Sequence, residues 1–390
     1  MGVYEKNKLC YILFQDTSII IVNNDTAKYY VFKRVPFTEK IFSRIDEEVL
    51  TEEEISRLSI EFSEKSDIVL DFIDKLCKLK ILLHIDDIES PNSHNLRSRF
   101  WTEILYLSKF TSKPYQLLDE IISKKVLVIG AGALGSSLVL KLSAIGIKYI
   151  YCIDGDRIEL DNLTRQILYT PEDISDGLFK VEALNNMVKK FYPESNFLGI
   201  KQYINSYKDC LKYIPKDIDL IIQTADSPIG EIDDWINNFS LCTQIPVIYS
   251  HFGSVGPFVI PTKSPCLKCL NNFLDKKTDG LHSLTKRLFE NKPNTKSPSF
   301  VTGTQINELL ILDLVKKYWI TGENEEIHNK TSIDGNKKDD DQEESLEDLL
   351  NELNELIGLA GVKEEVSSLV NILKINKLRE SRGFKVPQVS

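Results

Sequence analysis

The sequence predicts an α/β protein with a parallel sheet at its centre. An apolar strand, Val126–Ile129, runs directly into the turn Gly130-Ala-Gly-Ala-Leu-Gly135, and a second apolar run, Tyr149–Ile153, ends at Asp154. A strand, a glycine-rich turn, a helical stretch and a second strand that ends in an acid form a βαβ unit. Such a unit is typical of domains that bind a nucleotide at the carboxyl ends of the strands.

The glycines of the turn have separate roles. Gly130 permits the tight turn, Gly132 lets backbone N–H groups approach a phosphate, and Gly135 lets the next helix pack close to the strand. Asp154 is placed to hydrogen-bond ribose hydroxyls. Glycine-rich turns also occur for packing reasons alone, so the position of this one between strand and helix is what favours a binding function.

The residues after Asp154 indicate which nucleotide is bound. The string from Asp154 to Gln166, followed by Gly177 to Ala183, resembles the ATP site of the ThiF/MoeB/HesA and ubiquitin-activating-enzyme superfamily, and dinucleotide dehydrogenases do not carry it. A third apolar strand, Ile218–Ile222, leads to Asp226, which matches the strand-terminal aspartate of the family. The resemblance covers about residues 97 to 320 and implies a Rossmann-like ThiF adenylation domain.

The resemblance also implies roles for polar side chains. An enzyme that adenylates a carboxylate must hold ATP and neutralise charge on the pyrophosphate leaving group. Arg165 and Lys180 would act as phosphate-binding cations, and Asp226 would hold Mg²⁺. A lone cation in such a loop is usually a solvated surface residue, but these occur together at the spacing of the family. The predicted nucleotide-binding residues are Gly130, Gly132, Gly135, Asp154, Asp156, Asn162 and Gln166.

The sequence departs from the family at a pair of cysteines. Cys266-Leu-Lys-Cys269 resembles the first zinc knuckle of MoeB-like proteins, but no cysteine follows Cys269 in the chain. A closed structural zinc site normally takes four ligands. Either the site has been lost, or another group such as His282 completes it. We do not expect bound zinc.

A second departure concerns an arginine. Many relatives present an arginine, from the helix before the glycine turn, to the γ-phosphate in the partner subunit's site, which implies a homodimer. Thr102 occupies the aligned place here, although Arg97 or Arg99 could substitute. A thioester step of the ubiquitin-activating kind would need a nucleophilic cysteine. Cys152, Cys210 and Cys242 fall in or beside predicted core elements, where cysteines are usually inert.

Composition limits the classes of protein. The 390 residues are enough for two or three domains, and a net charge of −10 argues against nucleic acid as the main partner. Seven cysteines without a disulfide-framework spacing suit a reducing compartment. The start of the chain has no apolar signal core, and no uncharged run is long enough to span a membrane. A cytoplasmic protein without a membrane partner is therefore predicted.

Residues 1–95 are predicted to form a separate winged-helix (α+β) domain. Tyr11–Phe14, Ser18–Val22, Tyr29–Phe32 and Ile81–His84 are predicted strands. The predicted helices are Phe37–Ile45, Thr51–Phe62, where Thr51-Glu-Glu-Glu54 is a capping box, and Asp67–Leu79. This order resembles the recognition element of enzymes that modify ribosomally made peptides. The resemblance implies that a leader peptide adds a strand to the exposed sheet edge; a structural or dimerisation domain is the alternative.

The C-terminal part differs in composition. Residues 321–344 are polar and acidic, so a flexible linker is predicted. Residues 345–390 begin with a capping box and an apolar helical stripe, and Leu356 to Val366 resembles the opening of a CbbX-type AAA ATPase domain without its phosphate-binding loop. This resemblance implies a fragment of a longer fusion, with the AAA ATPase portion as a further partner. A helical dimerisation arm is the alternative.

The sequence therefore predicts an ATP- and Mg²⁺-dependent enzyme, of residues 96–320, that adenylates a carboxylate on a ribosomally made precursor peptide. The acyl adenylate would then be attacked by a nitrogen or thiol nucleophile. Two alternatives remain open. One is adenylation of the C-terminus of a ubiquitin-like sulfur carrier, and the other is a non-catalytic scaffold that presents leader peptide to a partner enzyme.

Overall fold

The computed structural model describes residues 3–25, 27–62, 66–85, 99–251, 254–281, 283–284 and 301–321. The chain divides into two compact units, residues 1–333 and 334–390. The predicted linker and the predicted AAA-like segment, residues 322–390, lie outside the described residues, as do Arg97 and His282. Within the described part of the chain, no helix is both long and apolar enough to cross a membrane.

The N-terminal part combines two small antiparallel sheets with helices. Its elements are β1 (Val3–Lys6), β2 (Cys10–Phe14), β3 (Ser18–Asn23), β4 (Tyr29–Lys33), α1 (Pro36–Glu47), β5 (Leu50–Thr51), α2 (Glu52–Glu61), α3 (Ser66–Lys78) and β6 (Leu82–Ile85). The strand orders are β5-β1-β6 and β2-β3-β4. The inner side of β3, with Ile19 and Ile21, packs in one core with Ile41 and Phe42 of α1 and Ile73 of α3.

The strands and helices predicted for this part are confirmed, and two short strands were missed. β1 reads Val-Tyr-Glu-Lys, which does not alternate between apolar and polar residues, and β5 has only two residues, which is too short to show an alternation. Both strands exist because β1 pairs with β5 on one side and β6 on the other. This pairing joins the start and end of the N-terminal part. The winged-helix likeness itself stays a prediction.

A six-stranded sheet forms the central part of the molecule, in the order β12-β11-β10-β7-β8-β9. Its strands are β7 (Lys125–Ile129), β8 (Tyr149–Ile153), β9 (Asn196–Ile200), β10 (Leu220–Gln223), β11 (Val247–His251) and β12 (Ser254–Val259). All neighbouring pairs are parallel except β11 with β12. The predicted α/β fold with a Rossmann-like parallel sheet is confirmed.

The helices cover both faces of this sheet. In β7, Val126 and Val128 belong to one core and Leu127 and Ile129 to another, so both faces are buried, as is usual for parallel sheets. The helices are α4 (Trp101–Leu107), α5 (Pro114–Ile122), α6 (Ala133–Ile145), α7 (Pro171–Ser175), α8 (Lys180–Phe191), α9 (Tyr207–Tyr213), α10 (Glu231–Thr243), α11 (Leu267–Lys277) and α12 (Val301–Thr321).

Polar contacts join the N-terminal part to the segment before the central sheet. The Tyr115 hydroxyl donates to Glu5 Oε1 at 2.6 Å, and the backbone N–H of His84 donates to the Ser112 carbonyl at 2.6 Å. Lys109 also forms an ion pair with Asp25 at 2.5 Å. Both parts belong to the same compact unit. The predicted boundary at residues 95 and 96 lies outside the described residues and stays a prediction.

Candidate functional site

The glycine turn joins the end of β7 to the start of α6. Gly130 has φ +94°, and a Cβ there would lie 2.9 Å from the backbone nitrogen of Ala225. A Cβ on Gly135 would lie 1.8 Å from the Gly130 carbonyl oxygen, so the helix packs against the turn as closely as glycine allows. A Cβ on Gly132, the N-cap of α6, would meet nothing within 4 Å. The turn is thus closed towards the protein at Gly130 and Gly135 and open at Gly132.

Asp154 holds the turn in place. Its Oδ2 accepts the backbone N–H of Ala131 at 2.6 Å, and its Oδ1 accepts that of Asp156 at 2.7 Å. Burial raises the pKa of Asp154, while the charge of Lys180 and these two N–H groups oppose the rise. An ionised carboxylate has about four acceptor positions, so both oxygens can still accept ribose hydroxyls. Ribose binding by Asp154 stays a prediction.

A buried tyrosine supports the same turn. The Tyr169 hydroxyl donates to the Ala131 carbonyl at 2.7 Å, and the residue is only 5% exposed. Burial raises its pKa well above the usual value, so the phenol stays a hydrogen-bond donor. Sequence reasoning missed Tyr169, because a tyrosine in an irregular stretch carries no motif.

Lys180 and Asp156 form a partly buried ion pair beside Asp154. Lys180 Nζ lies 2.7 Å from Asp156 Oδ2, and the lysine side chain is 8% exposed. Tyr203, also missed in the sequence, donates from its hydroxyl to Asp156 Oδ1 at 2.9 Å. Burial and this hydrogen bond raise the pKa of Tyr203 to about 12. The predicted phosphate-binding cation Lys180 is therefore paired with a predicted nucleotide-binding carboxylate, Asp156.

A short 3₁₀ turn, Leu160–Thr164, positions the next predicted residues. Asn162 is buried, and its Oδ1 accepts the backbone N–H of Glu159 at 3.1 Å, so part of its function is to shape the turn. Gln166 is also buried, and its Oε1 has no hydrogen-bond partner among the described residues. Arg165 is half-buried and donates from Nη1 to the Asp161 carbonyl at 3.0 Å.

Asp226 follows β10, the strand next to β7. The Thr224 hydroxyl donates to the Ile129 carbonyl at 2.8 Å, which ties the end of β10 to the glycine turn. Gln223, fully buried, donates from Nε2 to the Ala225 carbonyl at 3.0 Å and to Asp233 at 3.0 Å. The Asp226 side chain is exposed at the carboxyl edge of the sheet. The structure thus brings Asp226 and the glycine turn to the same edge.

These residues fit a bound nucleotide. The open side of Gly132 leaves room for a phosphate, and the unpaired, buried Gln166 Oε1 can accept a hydrogen bond from a ligand. Among the described residues, no group of three or more potential metal ligands converges. Proteins usually bind Mg²⁺ through one or two carboxylates together with the phosphates of the substrate and water. Binding of Mg²⁺ by Asp226 stays a prediction.

The predicted zinc ligands Cys266 and Cys269 lie next to each other at the start of α11. The sulfur atoms of Cys266 and Cys269 lie 3.5 Å apart, and no third ligand joins them in the part of the chain that the structure describes. Burial would raise the pKa of Cys266, but the N–H group and thiol of Cys269 and the N–H group of Lys268 together lower it. His282 lies outside the described residues.

The structure describes one of the two candidate arginines, Arg99, and the three cysteines that were assigned to core elements. Arg99 forms an ion pair with Glu194 of the same chain and lies over the ring of Tyr192, at 5.5 Å. Of the cysteines predicted to be in or beside the core, Cys152 and Cys210 are fully buried. Cys242 is exposed, because it lies in the last turn of α10 on the solvent side.

Comparison with known proteins gives one family. The ThiF family matches residues 107–372. The chain is 33% identical over 152 residues to an adenylyltransferase and sulfurtransferase, UBA4, of Scheffersomyces stipitis, covering 38% of this chain and 33% of the relative. It is 28% identical over 149 residues to the sulfur carrier protein ThiS adenylyltransferase of Bacillus subtilis, covering 37% and 43%. The chain thus spans less than half of the length of these relatives.

Solved structures with a similar fold cover more of the chain. MccB of E. coli, solved with ATP, has a TM-score of 0.55 at 20% identity and covers 82% of this chain and 89% of that one. MccB solved with AMPCPP and selenomethionine MccA has a TM-score of 0.54 at 21% identity, covering 82% and 90%. PaaA has a TM-score of 0.52 at 19% identity, covering 68% and 87%. At these identities the likeness shows the fold.

Proposed function

The chain belongs to the ThiF family, and from this membership we propose that it is an ATP- and Mg²⁺-dependent adenylyltransferase that activates a carboxylate of a ribosomally made precursor peptide. The observation that carries the proposal is that Asp154 holds the glycine turn through the Ala131 N–H, while the segment that leads to Asp226 contacts the same turn through Thr224. The two curated relatives described above are named as adenylyltransferases, and these names support the same reaction.

The proposed reaction has a defined bond change. A carboxylate oxygen attacks the α-phosphorus of ATP, an O–P bond forms, and the bond from the α-phosphorus to pyrophosphate breaks. Negative charge grows on the leaving pyrophosphate, so the site must supply cations. A nitrogen or thiol nucleophile then attacks the acyl carbon and AMP leaves.

Each proposed role follows from the position of a side chain. Gly132 is the N-cap of α6 and its side of the turn is open, and the N-terminus of a helix favours an anion. Asp226 would hold Mg²⁺, which neutralises charge on the phosphates when it is bound. Among the residues that the structure describes, Arg165 donates through one nitrogen to the Asp161 carbonyl, so its remaining N–H groups can bind phosphate oxygens. Asn162 and Gln166 would orient the ribose or the phosphates.

Lys180 would act together with Asp156. The pair neutralises its own charge, so Lys180 either bridges Asp156 and a phosphate through its three donors or releases Asp156 when phosphate binds. Asp156 and Asp154 would then accept the ribose hydroxyls.

A precursor peptide as substrate rests on two supports. MccB, the biosynthetic enzyme of microcin C7, was solved with N-formylated MccA, and this description fits a polypeptide. The N-terminal part of the present chain offers an unpaired sheet edge at β4, since β4 is the last strand of its sheet among the described residues. An extended peptide can add to such an edge through main-chain hydrogen bonds.

Adenylation of the C-terminus of a ubiquitin-like sulfur carrier is the second candidate. The names of the curated relatives favour it, since they include a sulfurtransferase and a ThiS adenylyltransferase. Both candidates need the same ATP site and differ in the acyl substrate. A panel that contains precursor peptides and a sulfur carrier separates them, because only the true substrate should support exchange of pyrophosphate into ATP.

A homodimer and an AAA ATPase portion in a longer chain remain proposals. The exposed apolar residues Ile306, Leu309 and Leu310 of α12 support a homodimer, because they offer apolar surface for a partner. Sedimentation of the full chain tests the proposal, and a monomer at micromolar concentration would contradict it.

The first prediction tests the ATP site directly. Asp226→Ala should lower substrate-dependent exchange of pyrophosphate into ATP by at least about a hundredfold, because the contact that neutralises phosphate charge is removed. Omission of Mg²⁺ should abolish exchange in the parent protein. Asp217→Ala is the control, because it breaks an ion pair with Lys125 at the start of β7 and should leave exchange near the parent rate. Normal exchange in Asp226→Ala would disprove the assignment.

A further inference from the structure

Two cysteines that the proposed reaction does not use lie at the start of α11. Cys266 is the N-cap of this helix, and Cys269 lies in its first turn. Their sulfur atoms are 3.5 Å apart, in contact with each other. Cys269 is exposed and Cys266 is half-buried, so a small oxidant or reductant can reach the pair. Among the described residues no third metal ligand joins them.

The position of the pair suits thiol chemistry. In Cys-X-X-Cys motifs at helix N-termini, the sulfur nearer the helix end faces backbone N–H groups and is close enough to its partner to form a disulfide. Both conditions are met here. The N–H groups of Lys268 and Cys269 face the Cys266 sulfur, and the two sulfur atoms are 3.5 Å apart. Four of the other described cysteines, Cys10, Cys77, Cys152 and Cys210, are buried.

A continuous set of contacts leads from this pair to the candidate ATP site. The backbone N–H of Leu267, next to Cys266, donates to Asn237 Oδ1 at 3.0 Å. Asn237 is fully buried in α10, and its Nδ2 has no hydrogen-bond partner in the described structure although the side chain faces the Cys266 sulfur. One turn earlier in α10, Asp233 accepts from Gln223, which also bonds the Ala225 carbonyl next to Asp226.

We propose that Cys266 and Cys269 form a redox switch, in which a reversible disulfide at the start of α11 slows adenylation by displacing α10 and the segment that carries Asp226. Oxidation would occur by exchange with a low-molecular-weight disulfide such as glutathione disulfide. One sulfur attacks the glutathione disulfide and releases one glutathione, and the second sulfur then displaces the other. One S–S bond breaks and one forms, and the two protons lost by the cysteine thiols end on the two glutathione thiols that are released.

A mass measurement tests the chemistry independently of the reaction. The full-length protein is equilibrated in reduced and oxidised glutathione at a series of ratios, its free thiols are alkylated, and the Cys266–Cys269 disulfide is quantified by peptide mass. We expect a reversible transition with a half-point at a finite ratio. Zinc is determined on the reduced protein, and a zinc content well below one per chain is expected. A reduced pair under excess glutathione disulfide, glutathione adducts alone, or stoichiometric zinc lost in Cys266→Ser would overturn the proposal.

An activity measurement tests the coupling, and this arm rests on the proposed function. The oxidised protein should catalyse pyrophosphate exchange at least about fivefold more slowly than the reduced protein, and reductant should restore the rate. Cys266→Ser and Cys269→Ser should be insensitive to the oxidant. Cys242→Ser is the matched control, since Cys242 is an exposed cysteine outside the pair, and it should stay sensitive. An oxidised protein with an unchanged rate would overturn the switch. Absence of exchange in the reduced protein would instead count against the proposed function.

Discussion

At the scale of single residues, the site depends on side chains that form hydrogen bonds and ion pairs with one another. Asp156 is bonded to Lys180 at 2.7 Å and to Tyr203 at 2.9 Å. A Cβ on Gly155 would lie 2.5 Å from the Tyr203 ring, so the tyrosine also fits closely against the backbone between the two aspartates. Tyr203 therefore positions the carboxylate that we propose to bind ribose.

The second prediction concerns this positioning. Tyr203→Phe removes the hydrogen bond to Asp156 and leaves the ring, so KM for ATP should rise roughly tenfold with little change in kcat. The fold should be unaffected, because Tyr203 is 54% exposed. Since its pKa is raised to about 12, the phenol donates at every pH at which the assay is practical.

The readout is steady-state pyrophosphate exchange at varied ATP concentration. Tyr213→Phe is the control, because the Tyr213 hydroxyl also takes part in a side-chain hydrogen bond, which it accepts from Lys212 Nζ at 3.1 Å on the surface. An unchanged KM in Tyr203→Phe would show that Asp156 needs no support from Tyr203.

The sequence predicted the polar residues of the site by type and spacing, but it did not predict their pairing. Lys180 and Asp156 are separated by 24 positions, and each was assigned to ATP alone. Tyr169 and Tyr203 carry no local motif, and only the folded chain brings them to the Ala131 carbonyl and to Asp156. Spacing shows which groups a family requires, whereas contacts between distant positions depend on the fold.

At the scale of elements, the glycine turn separates a packing role from a binding role. Gly135 has no room for a side chain, since its Cβ would overlap the Gly130 carbonyl at 1.8 Å, which is a backbone atom that cannot move away. Gly132 has room and a φ of −71°, which alanine adopts readily. The two positions therefore form a matched pair for the same substitution.

The third prediction uses this pair. Gly135→Ala should lower the free energy of unfolding by about 3 kcal/mol or more, because the overlap forces a shift in the packing of β7 against α6. Gly132→Ala should lower it by about 1 kcal/mol at most, the difference between glycine and alanine at an N-cap. Its affinity for ATP should nevertheless fall at least about tenfold, because the new methyl group occupies the side of the turn that phosphate approaches.

Denaturant unfolding and equilibrium titration with ATP provide the two measurements. If Gly132→Ala binds ATP as tightly as the parent protein, then phosphate does not approach this side of the turn.

The N-terminus of α2 was predictable from the sequence. Thr51 and Glu54 form the predicted capping box, with the Thr51 N–H donating to Glu54 Oε2 at 3.0 Å. The ion pair of Arg44 of α1 with Glu54 could not be predicted from the sequence, because the two residues are in different helices. Burial would raise the pKa of Glu54, but the Thr51 N–H and Arg44 together lower it.

The fourth prediction is the pH dependence of this contact. Glu54→Gln keeps the capping geometry and loses the charge, so at pH 7 the free energy of unfolding should fall by roughly 1 kcal/mol. The folded pKa of Glu54 lies below its unfolded value, so the stabilisation is complete above the unfolded pKa and is lost as pH falls through the folded pKa. The difference between parent and variant should therefore shrink from pH 7 to pH 3.

Denaturant unfolding at several pH values gives the measurement. Glu53→Gln is the control on the same helix, because its ion pair with Arg57 is about three-quarters exposed, at 76% and 72%, and should contribute little. A difference for Glu54→Gln that is independent of pH would mean that the charge does not stabilise the fold.

At the scale of the whole molecule, the N-terminal part is joined to the rest by contacts that the sequence did not predict. Tyr115 reaches Glu5 across 110 positions, and Ser108 reaches Asn7 across 101 positions, at 2.6 Å and 3.3 Å. Asn7 is fully buried. Deletion of residues 1–95 would leave these partners without their bonds, so a lost activity could reflect damage at the contact. A point substitution at the proposed peptide edge is a cleaner test.

The free edge of β4 can be identified from the hydrogen bonds on its other side. Arg34 donates to the Thr17 carbonyl at 3.0 Å, and Asn23 donates to the Lys28 carbonyl at 2.8 Å. Hydrogen-bonded pairs alternate along an antiparallel ladder, so Val31, opposite Ile20, is in a non-bonded pair and directs its N–H and C=O away from β3. Its main-chain groups are therefore available to a further strand.

Apolar surface lies beside this edge. Phe32 of β4 packs at 6.0 Å from Phe72 of α3. Tyr29 and Val31 alternate with the inward-facing residues of β4, and their side chains are 70% and 59% exposed on the outer face of the sheet. A peptide strand added to β4 would find main-chain partners at Val31 and apolar surface on the outer face, which is the combination that gives affinity and selectivity in strand addition.

The fifth prediction follows from this geometry. Val31→Pro removes the N–H that faces the free edge and breaks no bond to β3, so an edge strand should tolerate it. KM for the full-length precursor peptide should rise at least about tenfold, whereas kcat and the KM for ATP should stay near the parent values, because the ATP site is unchanged. Val31→Ala is the matched control. It removes the same side chain but keeps the N–H, so its KM should change much less. Circular dichroism and exchange at saturating peptide verify that the proline variant is folded. If Val31→Pro binds precursor peptide as well as Val31→Ala does, the peptide does not add to β4, and activation of a sulfur carrier becomes the better account of this enzyme.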